Sequence, residues 1–326
     1  MIMNEVDCII CGTCVADILV RPVPLWAPVG GGRLIHVDPI DVTTGGIVCN
    51  SGIAMRRLGM RVAASSLVGA DQWGSLIRSR LEAERLDTAG LAVHPTLATS
   101  TTAVLIDPSG ERSFAHHVGA PHAIDVNFLS SQGPLFEKSR LAVIGYFGLL
   151  PSLEPVFAEG VAVVKAAGCT VAVETAGSGG DIAQLVPALP LIDIYVPSRD
   201  EAVHQTGLHD PREIIDCYRG HGAAGFLGVK LGTKGAVLSP ARGEFIDIPC
   251  IEAPGPVADT TGAGDSFLAG LLTGILRGLP PREAGLLGAA TAACCVTGLG
   301  ATAGLRSFDE TIRLTEKVPA TSVRKT

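Results

Sequence analysis

Short apolar runs alternate along the chain with stretches in which apolar positions recur every three or four residues, the two periods of strand and helix. Val6 to Cys11 reads as a strand, Ile47 to Leu58 as a helix stopped by Gly59, Arg61 to Val68 as a strand, and Gln72 to Leu86 as a helix with a charged face. The alternation resumes with strands at Leu141 to Ile144, Thr170 to Val173, Ile192 to Val196 and Gly225 to Lys230, with helices filling the spaces between them. Gly264 to Arg277 and Arg282 to Thr297 read as two consecutive helices, and Ser307 to Glu316 as a third. Strands alternating with helices predict a mostly parallel sheet covered on both faces, a three-layer α/β/α sandwich.

Two segments do not fit a pure alternation. Thr101 to Ile106 and Arg112 to His117 are β runs joined by Asp107-Pro108-Ser109-Gly110, a turn sequence, so they form a hairpin. A Pro- and Gly-rich excursion passes through Gly30-Gly31-Gly32. Together, residues 15–45 and 98–120 predict a small β-rich flap, a lid inserted in one domain spanning 1–326. The chain shows no internal repeat and no low-complexity segment.

Composition narrows the class. A chain of 326 residues, 47% hydrophobic and 17% charged, can bury a large core without metal or disulfide staples. With 25 basic and 32 acidic residues the net charge is −7, and no block of Lys or Arg is longer than a pair such as the tail's Arg324-Lys325, so neither nucleic acid nor an anionic membrane is an expected partner. Asn4, Glu5 and Asp7 ahead of the first apolar run are the wrong charge order for a secretory signal, which predicts a cytoplasmic protein. Ala284 to Leu305 lacks charge, but Gly298 and Gly300 end its helix near Thr297, leaving a buried core helix and not a membrane span. Nine cysteines lie mostly inside apolar runs and are expected to stay free. Cys8, Cys11 and Cys14 are spaced like cluster ligands, yet strand alternation sends Cys8 and Cys11 to opposite faces. His116 and His117 are adjacent in a strand for the same reason, and with His122 they are expected on the surface or beside substrate.

The chemistry concentrates at Asp259-Thr260-Thr261-Gly262-Ala263-Gly264-Asp265, which leads into a helix with apolar positions at 267, 268, 271, 272, 275 and 276. Gly278 suits the position just past that helix, and Pro280 blocks its continuation. A turn of small residues at a helix N-terminus offers unpaired amides and a positive dipole end to phosphate oxygens. A carboxylate in that turn would repel a phosphoryl group, so the natural role for Asp265 is to accept the proton of an attacking hydroxyl. An N-cap aspartate on an ordinary helix would explain Asp265 but not the small residues around it. No G-x-x-x-x-G-K-[ST] spacing exists, because Gly232-Thr233-Lys234-Gly235 lacks it, and no G-x-G-x-x-G follows the first strand.

Asp-Thr-Thr-Gly-Ala-Gly-Asp-Ser-Phe resembles the C-terminal signature of the ribokinase-like sugar and nucleoside kinases, the PfkB family. Gly45-Gly46-Ile47-Val48-Cys49-Asn50-Ser51-Gly52-Ile53-Ala54 with Leu58-Gly59 resembles the same family's N-terminal signature, about 200 residues earlier. Gly110-Glu111-Arg112-Ser113-Phe114 and Gly119-Ala120 are similar to its hairpin and substrate-side loop. Val229-Lys230-Leu231-Gly232-Thr233-Lys234-Gly235-Ala236 is similar to its nucleotide-side strand and turn, and Gly300-Ala301 to the turn closing the adenine pocket.

The resemblance implies a ribokinase-like fold and an ATP-dependent kinase that phosphorylates a hydroxyl, a primary alcohol, of a small sugar. Asp265 would be the base, and the amides of Gly262, Ala263 and Gly264 would hold the transferring charge. Asp17, Gly45, Gly46 and Asn50 would bind substrate hydroxyls, and Ser198, Glu201, Lys230, Gly232, Gly235 and Thr261 the nucleotide. Magnesium would be held through water by Glu201, and potassium is implied near Asp259 and Thr261. Two departures stand out: Ser198 replaces the asparagine of the family's N-x-x-E pattern, and Glu174-Thr175 replaces its D-x-N strand end. A nucleoside kinase of the same fold and a non-catalytic sugar or nucleotide sensor are the alternatives, and a homodimer through the flap is expected. Arg33 and Arg112 are the candidates for contacting a phosphorylated sugar, and without a basic cluster a neutral one is preferred.

Overall fold

A computed structural model describes residues 5–27, 31–318 and 324–325; Met1 to Asn4 and Gly30 lie outside them. The strands are β1 (Val6–Gly12), β2 (Val15–Val20), β3 (Asp41–Gly45), β4 (Val62–Gly69), β5 (Asp87–His94), β6 (Thr101–Ile106) and β7 (Arg112–His117). They continue as β8 (Ser139–Phe147), β9 (Thr170–Thr175), β10 (Ile194–Tyr195), β11 (Phe226–Lys230), β12 (Ala236–Ser239), β13 (Glu244–Ile248) and β14 (Arg324–Lys325). The longer helices are α1 (Gly46–Arg57), α2 (Gln72–Ala83), α3 (Phe157–Ala166), α4 (Arg199–Thr206), α5 (Pro211–Gly220), α6 (Ala263–Leu276) and α7 (Pro281–Cys295).

One sheet runs β14-β13-β12-β11-β10-β9-β8-β1-β4-β5. Every pairing from β11 to β5 is parallel, and the β11–β12–β13–β14 end is antiparallel. Alternation along β1 divides the core: Cys8 and Ile10 pack with α1, α2, α6 and α7 on one face, while Ile9 and Cys11 pack with α3, α4 and α5 on the other. The three-layer reading and the opposite facing of Cys8 and Cys11 hold. All nine cysteines are free, seven of them buried. Among the described residues no helix is long and apolar enough to cross a membrane.

A second sheet, β3-β2-β6-β7, stands apart from the first. Its β6–β7 hairpin is the one predicted, closed by Asp107, whose carboxylate accepts from Ser109 N and Glu111 N at 2.8 and 3.0 Å.

Several boundaries differ from the sequence reading. Antiparallel strands β12 and β13 were not anticipated, nor was β5. The expected strand at 192–196 pairs only at Ile194–Tyr195. The helix expected from Ser307 is α-helical only over Phe308–Ile312 and ends as a single tight turn at Thr315–Lys317.

Helix α6 is anchored along its whole buried face by Phe267, Leu268, Leu271 and Leu272, each worth roughly 1.5–3 kcal/mol of burial. Gly270 lets α7 approach: a Cβ there would meet the Leu287 carbonyl at 2.6 Å and Gly288 Cα at 2.8 Å. Backbone cannot yield, so the clash outweighs the alanine's better helix propensity of about 1 kcal/mol. Gly270→Ala is therefore expected to destabilise the protein by about 1–3 kcal/mol, read as a lowered urea midpoint.

Candidate active site

The site is built where α6 begins. Gly262 caps the helix in the left-handed conformation at φ 74°, and Ala301 lies where its side chain would be, so a glycine is needed on both counts. By helix geometry the first-turn N–H groups of α6 lack intrahelical acceptors. Asp265 sits in that first turn, only 8% exposed.

Burial pushes the Asp265 carboxyl above its usual range, and hydrogen bonds from Tyr146 and Asn50 together with the Lys230 ammonium pull it back. The Tyr146 hydroxyl donates to Asp265 Oδ2 at 2.7 Å, and the Asn50 amide donates to the same oxygen at 2.8 Å. Asn50 Oδ1 is buried with no partner among the described residues. The next residue, Ser51, donates its Oγ–H to the Asp265 backbone carbonyl at 3.0 Å, so α1 and α6 are locked at their N-termini.

Two cavities meet at this turn. The larger, about 510 Å³, is lined by Asp17, Gly45, Gly46, Asn50, Tyr146, Gly262 and Asp265 together with residues of the small sheet. The smaller, about 410 Å³, is lined by Lys230, Gly232, Gly235, Thr260, Ala263 and Gly264 and walled by apolar residues such as Val257, Phe267 and Val296. Gly262 and Asp265 thus face one space, and Ala263 and Gly264 the other.

In the larger cavity Asp17 packs its carboxylate where a Gly45 side chain would stand, which explains that glycine. Burial raises the Asp17 carboxyl to about 6, with a hydrogen bond from Thr102 acting against the shift. Arg112 reaches across from β7 to Asp259 Oδ1 at 2.6 Å and also contacts the Thr261 hydroxyl. Asp259 further accepts from Thr261 N at 2.7 Å and Gly300 N at 2.9 Å. Burial opposes charge on Asp259, but these hydrogen bonds and Arg112 hold it below the usual carboxylate range. The cation at Asp259 is thus a guanidinium.

Behind the smaller cavity, Lys230 is ion-paired with Glu174. Burial pushes Glu174 up to about 8 against the pull of the Lys230 ammonium. Burial also works against that ammonium, but Glu174, Glu201 and Asp265 outweigh it and raise its pKa. Ser198 caps α4, and Glu201 Oε2 returns to Ser198 N at 2.7 Å and Thr175 Oγ1 at 2.8 Å. Glu174 Oε2 is buried without a partner among the described residues. No group of three or more His, Cys, Asp or Glu among the described residues is spaced to hold a metal alone. This donor set fits a magnesium carried mainly by nucleotide phosphates and water, the ion's usual preference.

The structure gathers most of the expected residues but redistributes some. Thr261, expected on the nucleotide side, lines the larger cavity; its neighbour Thr260 lines the smaller. Ser198 and Glu201 line neither and lie behind Lys230, where Ser198 bridges it in register. Tyr146 was not singled out from sequence. Its signal was position, since ligands of open α/β sheets gather beyond the carboxyl ends of strands and Tyr146 closes β8.

A family model described as pfkB family carbohydrate kinase matches residues 13–307. The chain belongs to that family. Its members' chemistry makes it an ATP-dependent carbohydrate kinase. A ribokinase of Haemophilus influenzae is 28% identical over 304 residues, 87% of this chain and 91% of that one. The fold of this pfkB kinase matches an Arabidopsis thaliana ribokinase solved with ribose and ATP, at TM-score 0.79 and 23% identity, covering 96% and 99% of the two chains. It also matches a Burkholderia thailandensis nucleoside kinase solved with inosine, at TM-score 0.76 and 21% identity, covering 95% and 96%.

Asp17 yields a stability prediction. Its folded pKa, about 6, lies above the unfolded value near 3.9, so its contribution is favourable below about pH 4 and is lost as pH rises through 6. Asp17→Asn is expected to melt higher than the wild type at pH 8, with the gap closing toward pH 4, when thermal unfolding is followed across that range.

Proposed function

We propose that this kinase transfers the γ-phosphoryl group of ATP to a primary alcohol of a small neutral sugar, with Asp265 as the base. One observation carries the reading: the turn 262–265 is the shared wall of the two cavities, and it presents its acid to one and its small residues to the other. An acceptor in the larger space and a triphosphate in the smaller would meet across that turn. Amides of residues 262 to 265 would stabilise charge on the transferring phosphoryl group. Gly232 and Gly235 would border the nucleotide, Lys230 would face its phosphates, and Glu201 would support magnesium through water. A sensor has no use for a base so placed.

Neutral acceptors are favoured by charge. Asp17, Asp259 and Asp265 line the larger cavity, while its one arginine, Arg112, is already committed to Asp259. A phosphorylated sugar would meet uncompensated carboxylates. Potassium at Asp259 and Thr261 would have to share Oδ1 with that same guanidinium.

A nucleoside is the second reading, favoured by the cavity's apolar wall. Val104, Phe114 and Leu149 lie on the side contributed by the small sheet and the loop after β8, where a base could stack. The small sheet, over about 15–45 and 98–120 of one kinase domain, would act as the lid that excludes water. Phe114 at 62% exposure and Ile40 at 55% support a homodimer through that sheet. Seven buried free thiols support a reducing, cytoplasmic setting.

ATP consumption over a panel of sugars and purine nucleosides tests the assignment. Asp265→Asn is expected to lower the rate by about 10² to 10⁴-fold; equal rates in both proteins would remove the base. A kcat/KM higher for nucleosides than for every sugar would favour the second reading. Sedimentation is expected to give a dimer, with Phe114→Asp shifting it to monomer.

A further inference from the structure

Asp265 is the only carboxylate of the site that receives two side-chain donors on a single oxygen among the described residues. Tyr146 and Asn50 both converge on Oδ2, while among the described residues nothing donates to Oδ1. Asp265 lines the acceptor cavity, so the oxygen left over is the one an incoming hydroxyl can reach. Carboxylate oxygens are otherwise equivalent, and rotation about χ2 would exchange them at no cost. Here a rotation would break two hydrogen bonds in a buried site, each to a charged acceptor.

The two donors are not equivalent. Asn50 is fixed in the first turns of α1 and carries an amide that stays neutral at any working pH. Tyr146 comes from the end of β8, and its ring lines the acceptor cavity. Burial and the neighbouring Asp265 and Glu174 carboxylates keep the phenol protonated, so it is a permanent donor. Without such a donor, desolvation would drive Asp265 toward its neutral form, which cannot accept a proton.

We infer that Tyr146 is a positioning residue for phosphoryl transfer: its hydroxyl, bonded to Oδ2, stabilises the Asp265 carboxylate and leaves Oδ1 as the proton acceptor. This rests on the assignment of Asp265 as base. In the step, the acceptor hydroxyl's proton passes to Asp265 Oδ1 while an electron pair of the hydroxyl oxygen forms the bond to the γ-phosphorus. The bond from phosphorus to the β,γ-bridging oxygen breaks, and its electrons leave with ADP. Tyr146 keeps its own proton throughout.

Tyr146→Phe removes only the hydroxyl. The expected result is a fall in kcat on the order of ten-fold, with acceptor KM nearly constant and the acid limb of kcat/KM displaced upward by about one pH unit. Site-specific 3-fluorotyrosine at 146, a near-isosteric and stronger donor, is expected to move that limb downward. ATP affinity, measured on the separate nucleotide cavity, checks that each variant is folded. An acid limb that stays in place in both variants, or a rise in acceptor KM alone, would overturn the role of Tyr146. Asp265→Asn run in parallel separates the two levels: if it keeps wild-type turnover, the base assignment fails and this inference with it. If Asp265→Asn is inactive and Tyr146→Phe is silent, only the inference fails.

Discussion

Everything in this site depends on keeping one carboxylate charged in a place that is nearly dry. Taking an ionised carboxyl out of water costs several kcal/mol unless donors replace the lost hydration. Asp265 receives its donors from two distant parts of the chain, Asn50 on α1 and Tyr146 at the end of β8, and the Lys230 ammonium adds its attraction. Those groups converge only if the sheet, α1 and α6 hold their places. The tight α6–α7 contact at Gly270 and the Ser51 bond to the Asp265 carbonyl are therefore part of the chemistry, though neither faces a cavity. The fold's largest core cluster sits directly beneath the group it must hold.

The same electrostatic logic orders the rest of the site. At the smaller cavity the Lys230 ammonium is held by Glu174, with Glu201 and Asp265 adding to the attraction. A carboxyl-rich wall of this kind suits a substrate that brings its own cation, as magnesium does with ATP. At the larger cavity the cation comes from the chain itself, because Arg112 brings a guanidinium from the small sheet to Asp259. That ion pair joins the β6–β7 hairpin to the loop that ends in Gly262.

How much of this was legible in the sequence depended on range. The segment 259–265 could be read because its meaning is local: small residues, an acid, and an apolar helix in one stretch. Gly45, Gly46 and Asn50 were legible through the second signature and Asp17 through its place after the first strand, and the structure places all four around one cavity with Asp265. The parallel sheet followed from alternation, but β12 and β13 did not, since short antiparallel strands next to a glycine turn resemble the loop they border. The 192–196 segment misled in the other direction: it is apolar and buried apart from Asp193, yet only Ile194 and Tyr195 pair.

What the sequence concealed were contacts between residues far apart in the chain. Arg112 and Asp259 are 147 positions apart, Glu174 and Lys230 are 56, and Tyr146 and Asp265 are 119. The glutamate at 174 looked like a one-methylene departure from a family pattern. In three dimensions the longer arm brings its carboxylate to the Lys230 ammonium. A substitution judged position by position looked like a loss, whereas judged as a pair it is a charge balance that neither residue could maintain alone. Tyr146 follows the same rule: a strand-end aromatic is unremarkable until its hydroxyl is found on Asp265, and only the meeting of the end of β8 with the start of α6 could show that.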